Sequence, residues 1–164
     1  MKEGYKKPNL ESKYFDELFE SLPSLEDKTV LITGTTTGTG YTAADACGKL
    51  GAKVVLLNRS SERAKTSFEK LKETTSNGSF YPIDCDLQSF ASVRDCIPKV
   101  NELCPEGIDV LCNNAGVMAL EDMPTGDGYD IQMQTNHLSH FLLTKLLWSL
   151  LEKAANEKGE ARVV

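Results

Sequence analysis

The sequence predicts an α/β protein built on a doubly wound parallel sheet, and three patterns carry that prediction. From about residue 28 onward, short apolar runs alternate with longer amphipathic stretches, as parallel strands alternate with their crossover helices. One run, K-V-V-L-L at 53–57, has no polar alternation, the mark of a strand covered on both faces. The third pattern is the turn T-G-T-T-T-G-T-G at 33–40, set between an apolar run and a helix of small residues.

Taken in order, residues 1–8 are polar, and 9–22 place Leu10, Tyr14, Leu18 and Leu22 at helical spacing with Phe15 and Phe19 beside them. This predicts an N-terminal extension, 1–27, whose amphipathic helix docks on the outside of the domain formed by 28–164. Pro23 ends that helix. A strand at 28–33 enters the Gly-rich turn, and a helix at 39–50, rich in Ala43, Ala44 and Ala46, stops at Gly51. The strand at 53–57 completes a β-α-β unit of ordinary length.

A charged helix at 61–75, a turn at Asn77-Gly78 and a strand at 79–83 follow. A helix at 89–103, with Val93, Ile97 and Val100 on one face, leads to a strand at 108–112. After a loop containing Pro124 and Gly126, Asp127 is a plausible N-cap for the longest helix, 128–156. A last apolar run begins at Arg162, so the sheet is expected to be incomplete at its C-terminal edge.

Composition removes several classes of function. The 164 residues suit one domain, and 18 basic against 24 acidic residues leave a net charge of -6, with no electrostatic footprint for nucleic acid or an anionic membrane. No apolar run reaches the roughly 20 residues of a membrane span, and the N-terminus has no signal- or transit-peptide character, which makes a cytoplasmic protein the default. The five cysteines form no C-x-x-C pair and read as buried reduced thiols. His137 and His140 stand three apart, with no third ligand to support a metal.

The chemistry lies at the ends of the strands. Glycines at 34, 38 and 40, spaced G-x3-G-x-G, let backbone N–H groups approach a pyrophosphate at a helix N-terminus; a turn with no ligand is the alternative. Asn58-Arg59, Asp86-Leu87 and Asn113-Asn114-Ala115-Gly116 fall at the carboxyl ends of the next three strands, where doubly wound sheets bind ligands. A carboxylate at the end of the second strand would bind a ribose 2′-OH, whereas an arginine pairs with a 2′-phosphate. Arg59, with Arg63 one helical turn on, therefore favours NADP(H) over NAD(H), unless Arg59 only begins a solvated helix face.

Together these residues resemble the short-chain dehydrogenase/reductase family, whose T-G-x-x-x-G-x-G and N-N-A-G patterns match 33–40 and 113–116 in full. The run Q-T-N-H-L-S-H-F-L-L-T at 134–144 looks most like the retinol-dehydrogenase-like branch, with Ser139 in place of a usual glycine. The resemblance implies a Rossmann-type fold and hydride transfer between a nicotinamide and an alcohol or carbonyl, with a hydrophobic small molecule as substrate. It implies cofactor contacts at Gly34, Thr36, Thr37, Gly38, Thr39, Gly40, Arg59, Asp86, Leu87, Asn114, Ala115 and Gly116, and a strand-steadying role for Asn113.

The resemblance also makes Asn136 a member of the catalytic set; a packed core asparagine, sharing a stripe with Met133, His140 and Leu143, is the alternative. Helix capping near Ser89 is the alternative for Asp86. The family's acid/base pair stands as Y-x-x-x-K, and none of Tyr5, Tyr14, Tyr41, Tyr81 or Tyr129 has Lys four positions later. These residues are therefore expected to form the cofactor-binding part of a longer enzyme, inactive alone, or else a non-catalytic NADP-binding or interaction protein. The apolar circumference of the 128–156 helix predicts a second packing partner, such as a homo-oligomer contact.

Overall fold

The computed structural model describes residues 15–75 and 78–164. Five parallel strands, β1 (Thr29–Thr33), β2 (Lys53–Asn58), β3 (Ser79–Asp84), β4 (Val110–Cys112) and β5 (Arg162–Val163), lie in the order β3-β2-β1-β4-β5. The order reverses between β1 and β4, so a crevice opens at the carboxyl ends of these two central strands. Register is continuous across the centre, with Leu31 opposite Val55 on one side and Leu111 on the other.

Side chains of β1 and β2 alternate between two cores because both faces of the sheet are covered. Leu31, Val55 and Leu57 pack with Val93, Cys96 and Val100 of α4 (Phe90–Leu103) and with Leu143, Leu147 and Leu151 of α6 (Ser139–Lys158). Val30, Ile32, Val54 and Leu56 pack against Ala44 of α2 (Gly38–Lys49) and Leu71 of α3 (Glu62–Thr74). All five residues of β1 are buried, which explains why its sequence lacks polar alternation. Small residues on α2 serve close approach: a Cβ on Gly48 would lie 2.3 Å from the Phe80 ring. Gly51, at φ +94, ends that helix.

The base of the sheet is tied by a carboxylate. Asp109, 4% exposed, lies just before β4; its Oδ2 accepts the Thr29 amide at 2.8 Å and Lys158 Nζ at 2.8 Å, and its Oδ1 accepts Lys28 Nζ at 3.2 Å. Burial alone would raise its pKa, but the bonds from Lys158, the Thr29 N–H and Lys28 together hold it below the usual carboxylate range.

Three expectations are corrected here. The N-terminal stripe does not dock as foreseen: Leu10 and Tyr14 lie outside the described residues, α1 (Phe15–Glu20) contains no buried residue, and Leu18 and Leu22 are exposed. Asn77, half of the foreseen turn, also lies outside the described residues. The long helix begins at α5 (Ile131–Met133) and is capped by Asp130, whose Oδ1 accepts the Met133 amide at 2.7 Å. Asp127 instead reaches across to α4 and accepts the Phe90 amide at 2.8 Å. Of the five thiols, Cys85, Cys96 and Cys104 are buried, whereas Cys47 and Cys112 are only half-buried.

Candidate functional site: a cleft at the strand carboxyl ends

A cleft of about 500 Å³ opens where the sheet order reverses. It gathers Gly34, Thr36, Thr37, Thr39 and Gly40 from the Gly-rich turn and Arg59 and Arg63 from the β2–α3 junction. Cys85, Asp86, Leu87 and Gln88 after β3 and Asn114, Ala115 and Gly116 after β4 complete the wall with Thr135. Eleven of the twelve residues expected to contact cofactor therefore line one cleft; Gly38 does not.

Gly38 has a different reason to be glycine. It starts α2 at φ +62 with open space around its missing Cβ, so backbone conformation alone favours glycine there. Gly40 is required by approach: a Cβ there would stand 2.3 Å from Asn114 Nδ2 and 2.4 Å from the Gly34 carbonyl oxygen. The N-cap Thr37 makes no capping bond, and its hydroxyl instead accepts Arg63 Nη2 at 2.6 Å. The first-turn amides of α2 thus retain their capacity for an anion, which is the fit a pyrophosphate group requires.

At the end of β2 the two candidate residues divide their work. Asn58 Oδ1 accepts the Thr35 amide and its Nδ2 donates to Thr35 Oγ1, both at 2.8 Å, so this amide shapes the Gly-rich turn. Arg59 remains exposed at the rim. After β3, Asp86 does not cap α4; Ser89 does, accepting the Ser92 amide, while Asp86 Oδ1 accepts the Gln88 amide at 2.9 Å.

After β4 the strand-steadying role expected of Asn113 falls to Asn114, which also lines the cleft as expected. Asn114 ties the central strands, its Nδ2 donating to the Thr33 and Gly34 carbonyls at 2.9 and 3.1 Å. Asn113 turns to the other side, where its Nδ2 reaches Thr144 Oγ1 of α6 at 3.2 Å.

Asn136 occupies a π turn, Gln134–Leu138, between α5 and α6. It is exposed rather than buried, and its amide is satisfied in both senses by Val117: Oδ1 accepts the backbone N–H and Nδ2 donates to the carbonyl, each at 2.8 Å. The wider turn is pinned by buried polar neighbours. Gln134 Nε2 donates to Asp127 Oδ2 at 2.6 Å, and Ser139 Oγ donates to the Leu87 carbonyl at 2.6 Å.

His140 completes the pinning. Its Nδ1 lies 3.1 Å from the Asn136 carbonyl and its Nε2 2.9 Å from Thr33 Oγ1. A carbonyl can only accept, so Nδ1 carries the proton and Nε2 accepts from the hydroxyl, which in turn accepts the Ala115 amide at 3.0 Å. Burial lowers the His140 pKa, outweighing the Asn136 carbonyl, and His137 adds to the effect of burial. The neutral ring this requires links the π turn to β1 and to the loop after β4.

Fold and cleft together define a Rossmann-like doubly wound α/β protein with its crevice at the strand carboxyl ends. The sequence profile described as "short chain dehydrogenase" matches residues 28–164. The chain belongs to the short-chain dehydrogenase/reductase family. It is 36% identical to human polyprenol dehydrogenase over 142 residues, covering 87% of this chain and 43% of that protein. It is 36% identical to human retinol dehydrogenase 13 over 135 residues, covering 82% and 40% respectively. A solved Pseudomonas aeruginosa RhlG/NADP active-site complex superimposes with a TM-score of 0.71 at 32% identity, over 85% of this chain and 54% of that one. The chain thus spans less than half the length of these curated relatives. No helix among the described residues is long and apolar enough to cross a membrane.

Several residues that line or brace the cleft were missed in the sequence. Thr33 and His140 left no local sign, because their bond spans 107 positions. Thr135 stood unread beside Asn136, and Cys85 beside Asp86. Ser139 did carry a signal, as a serine where the resembled branch has glycine, but its partner Leu87 is 52 positions away.

Proposed function

We propose that these residues form the cofactor-binding part of an NADP(H)-dependent short-chain oxidoreductase. The observation that carries this reading is the single cleft joining the Gly-rich turn, the β2-end arginines, the Asp86-Leu87 turn and the Asn114–Gly116 loop. Gly34, Thr36, Thr37, Thr39 and Gly40 hold the pyrophosphate, with Gly38 serving through its backbone angle. Asp86 and Leu87 border the adenine, and Arg59 and Arg63 face the 2′-phosphate. Asn114, Ala115 and Gly116 border the nicotinamide half. The cofactor, when bound, supplies hydride chemistry at its nicotinamide. Asn136, anchored on Val117, orients a water on the proton path. An NADP complex among the solved relatives supports the dinucleotide class.

The substrate in this reading is a hydrophobic alcohol or carbonyl. Met118, Leu120, Met123 and Met133, all exposed, cluster in sequence around the loop that Asn136 anchors. Such flexible apolar side chains suit an apolar ligand. A cytoplasmic location belongs to the same proposal. So does a homo-oligomer contact through the long helix, whose Phe141 and Trp148 are 65% and 53% exposed; sedimentation as a monomer at all concentrations would remove that contact.

The cofactor assignment is tested by calorimetric titration of the full chain. NADPH is expected to bind at least tenfold more tightly than NADH, and Arg59→Asp to abolish or reverse that ratio by removing a charge-assisted contact of about 1.5–3 kcal/mol. Binding of neither dinucleotide would overturn the reading, and an unchanged ratio would show that Arg59 does not read the phosphate. A second reading, a non-catalytic NADP-binding protein, is favoured by one observation: no tyrosine among these 164 residues has a lysine four positions later. Binding of NADPH by the full-length gene product with no turnover of any alcohol or carbonyl would select it.

A further inference from the structure

Asn136 is held from two sides. Val117 takes both ends of its side-chain amide at 2.8 Å, and Nδ1–H of His140 donates to its backbone carbonyl at 3.1 Å. The same ring reaches the end of β1, where Nε2 accepts the Thr33 hydroxyl at 2.9 Å, and that oxygen in turn accepts the Ala115 amide at 3.0 Å. His140 is 6% exposed. The reading above gives this buried, titratable ring no part.

The chain of bonds runs in one direction only while the ring is neutral. A protonated Nε2 would donate, so the Thr33 hydroxyl would have to turn its own proton to the Cys112 carbonyl, 3.4 Å away and near the limit of a hydrogen bond. The new charge would also lie in the core without a counter-ion. On its own segment stands His137, which can add only positive charge; β1 presents Thr33, and β4 presents Cys112, whose thiol burial keeps protonated. From α4, Val93, Cys96 and Val100 enter this core, while Arg94 is exposed and acts on Asp127. The carboxylates of the neighbouring turns are engaged elsewhere, Asp86 with the Gln88 amide and Asp127 with the Phe90 amide.

We infer that His140 is a positioning residue for Asn136, a clamp between the π turn and the end of β1 that holds as the neutral ring and opens on acidification. Its use in an enzyme rests on the cofactor reading, in which Ala115 borders the nicotinamide half and Asn136 orients a water; the clamp itself belongs to the free protein. Burial holds the ring below the ordinary histidine value of about 6.5. A group lowered in this way contributes fully above the ordinary value and loses its contribution as pH falls through the folded one.

The test follows amide hydrogen exchange in the ligand-free full chain by NMR, as protection relative to an unstructured chain, from about pH 7.5 down to the pH at which the His140 ring signals report the charged form. The Val117 amide, held by Asn136 Oδ1, and the Ala115 amide are expected to lose about tenfold in protection over that range, the scale of one hydrogen bond. Amides of Val55 and Leu57 in β2 stay unchanged. His140→Asn keeps a donor for the Asn136 carbonyl and cannot titrate, so its protection is independent of pH and within about threefold of the parent at the upper pH. His140→Phe fills the ring's volume with neither bond and is about tenfold low throughout. His137→Gln keeps the parent's profile. At the upper pH, His140→Phe weakens NADPH by about 5- to 10-fold and leaves 2′,5′-ADP, which has no nicotinamide, unaffected.

Unchanged protection of Val117 and Ala115 once the ring is charged, or unfolding of the whole chain before it charges, overturns the inference. So does an equal loss at Val117, Ala115 and the β2 amides in His140→Phe, which would assign His140 to packing alone. His140→Phe that binds NADPH like the parent overturns the positioning role and leaves the cofactor reading in place. Failure of the parent chain to bind either dinucleotide removes the cofactor reading and that role with it.

Discussion

Gly40→Ala is expected to destabilise the protein by about 3 kcal/mol or more, measured by urea unfolding, and to abolish dinucleotide binding in whatever folded fraction remains. The added Cβ would meet Asn114 Nδ2 at 2.3 Å and the Gly34 carbonyl oxygen at 2.4 Å. Overpacking a close contact costs about 1–3 kcal/mol. Here the displaced group is also the one that ties β4 to β1, so its bonds to the Thr33 and Gly34 carbonyls are lost as well, at about 1 kcal/mol each.

Gly38→Ala is the internal control. It meets open space and suffers only from its φ of +62, a strain of about 1–2 kcal/mol. Equal losses for the two variants would show that close approach at Gly40 is not what the α2–β4 junction depends on.

Asp109→Ala is expected to cost about 3 kcal/mol, read in the same way, with dinucleotide affinity unchanged because the residue sits at the opposite end of the strands from the cleft. Removing one partner of a buried ion pair typically costs about 3–5 kcal/mol, and the lower end applies because Lys28 and Lys158 are 34% and 26% exposed. The variant leaves the Thr29 amide and the Lys28 ammonium without this acceptor, and Lys158 with the Asp27 carbonyl alone.

The pH dependence follows from the direction of the shift. The folded-state pKa of Asp109 is lowered, so its contribution is complete above the unfolded carboxylate value of about 3.9 and disappears as pH falls through the folded one. The parent protein should therefore lose stability more steeply than Asp109→Ala as pH falls below about 4. Parallel acid limbs would show that Asp109 is not ionised against its lysines.

Much of the architecture was legible because β1 and β2 are buried on both faces and announce it with unbroken apolar runs. The strand-end motifs were legible for a related reason: each lies within a few residues of a strand that could be placed. Elements decided by distant partners were not. Asp127 and Asp130 are chemically equal candidates for a cap, and only the Phe90 amide, 37 positions earlier, assigns Asp127 elsewhere. Asn113 and Asn114 are neighbours at a strand end, so their side chains diverge, and which one meets β1 depends on register.

The alternative reading of Asn136, a packed core asparagine, failed because it assumed 3.6 residues per turn. A π turn inserts extra backbone without a sequence mark, leaving Met133 and Asn136 exposed while Gln134 is fully buried. Of the N-terminal stripe, the described residues Leu18 and Leu22 are exposed, because periodicity identifies a face and not what covers it.

That inserted backbone also sets a phase relation along the chain. One residue more or less rotates everything beyond it by about 100° and displaces it by about 1.5 Å along the helix axis. Leu143, Leu147 and Leu151 face the sheet only with the offset accumulated before Ser139, and Asn136 meets Val117 only with the offset accumulated after Met133. The π turn therefore works as a coupling between two angular requirements, one set by the core and one by the cleft. Residue number between Asp130 and Leu143 is consequently a geometric constant of this molecule, whereas the exposed loop around Met118 to Met123 can change length without altering either phase.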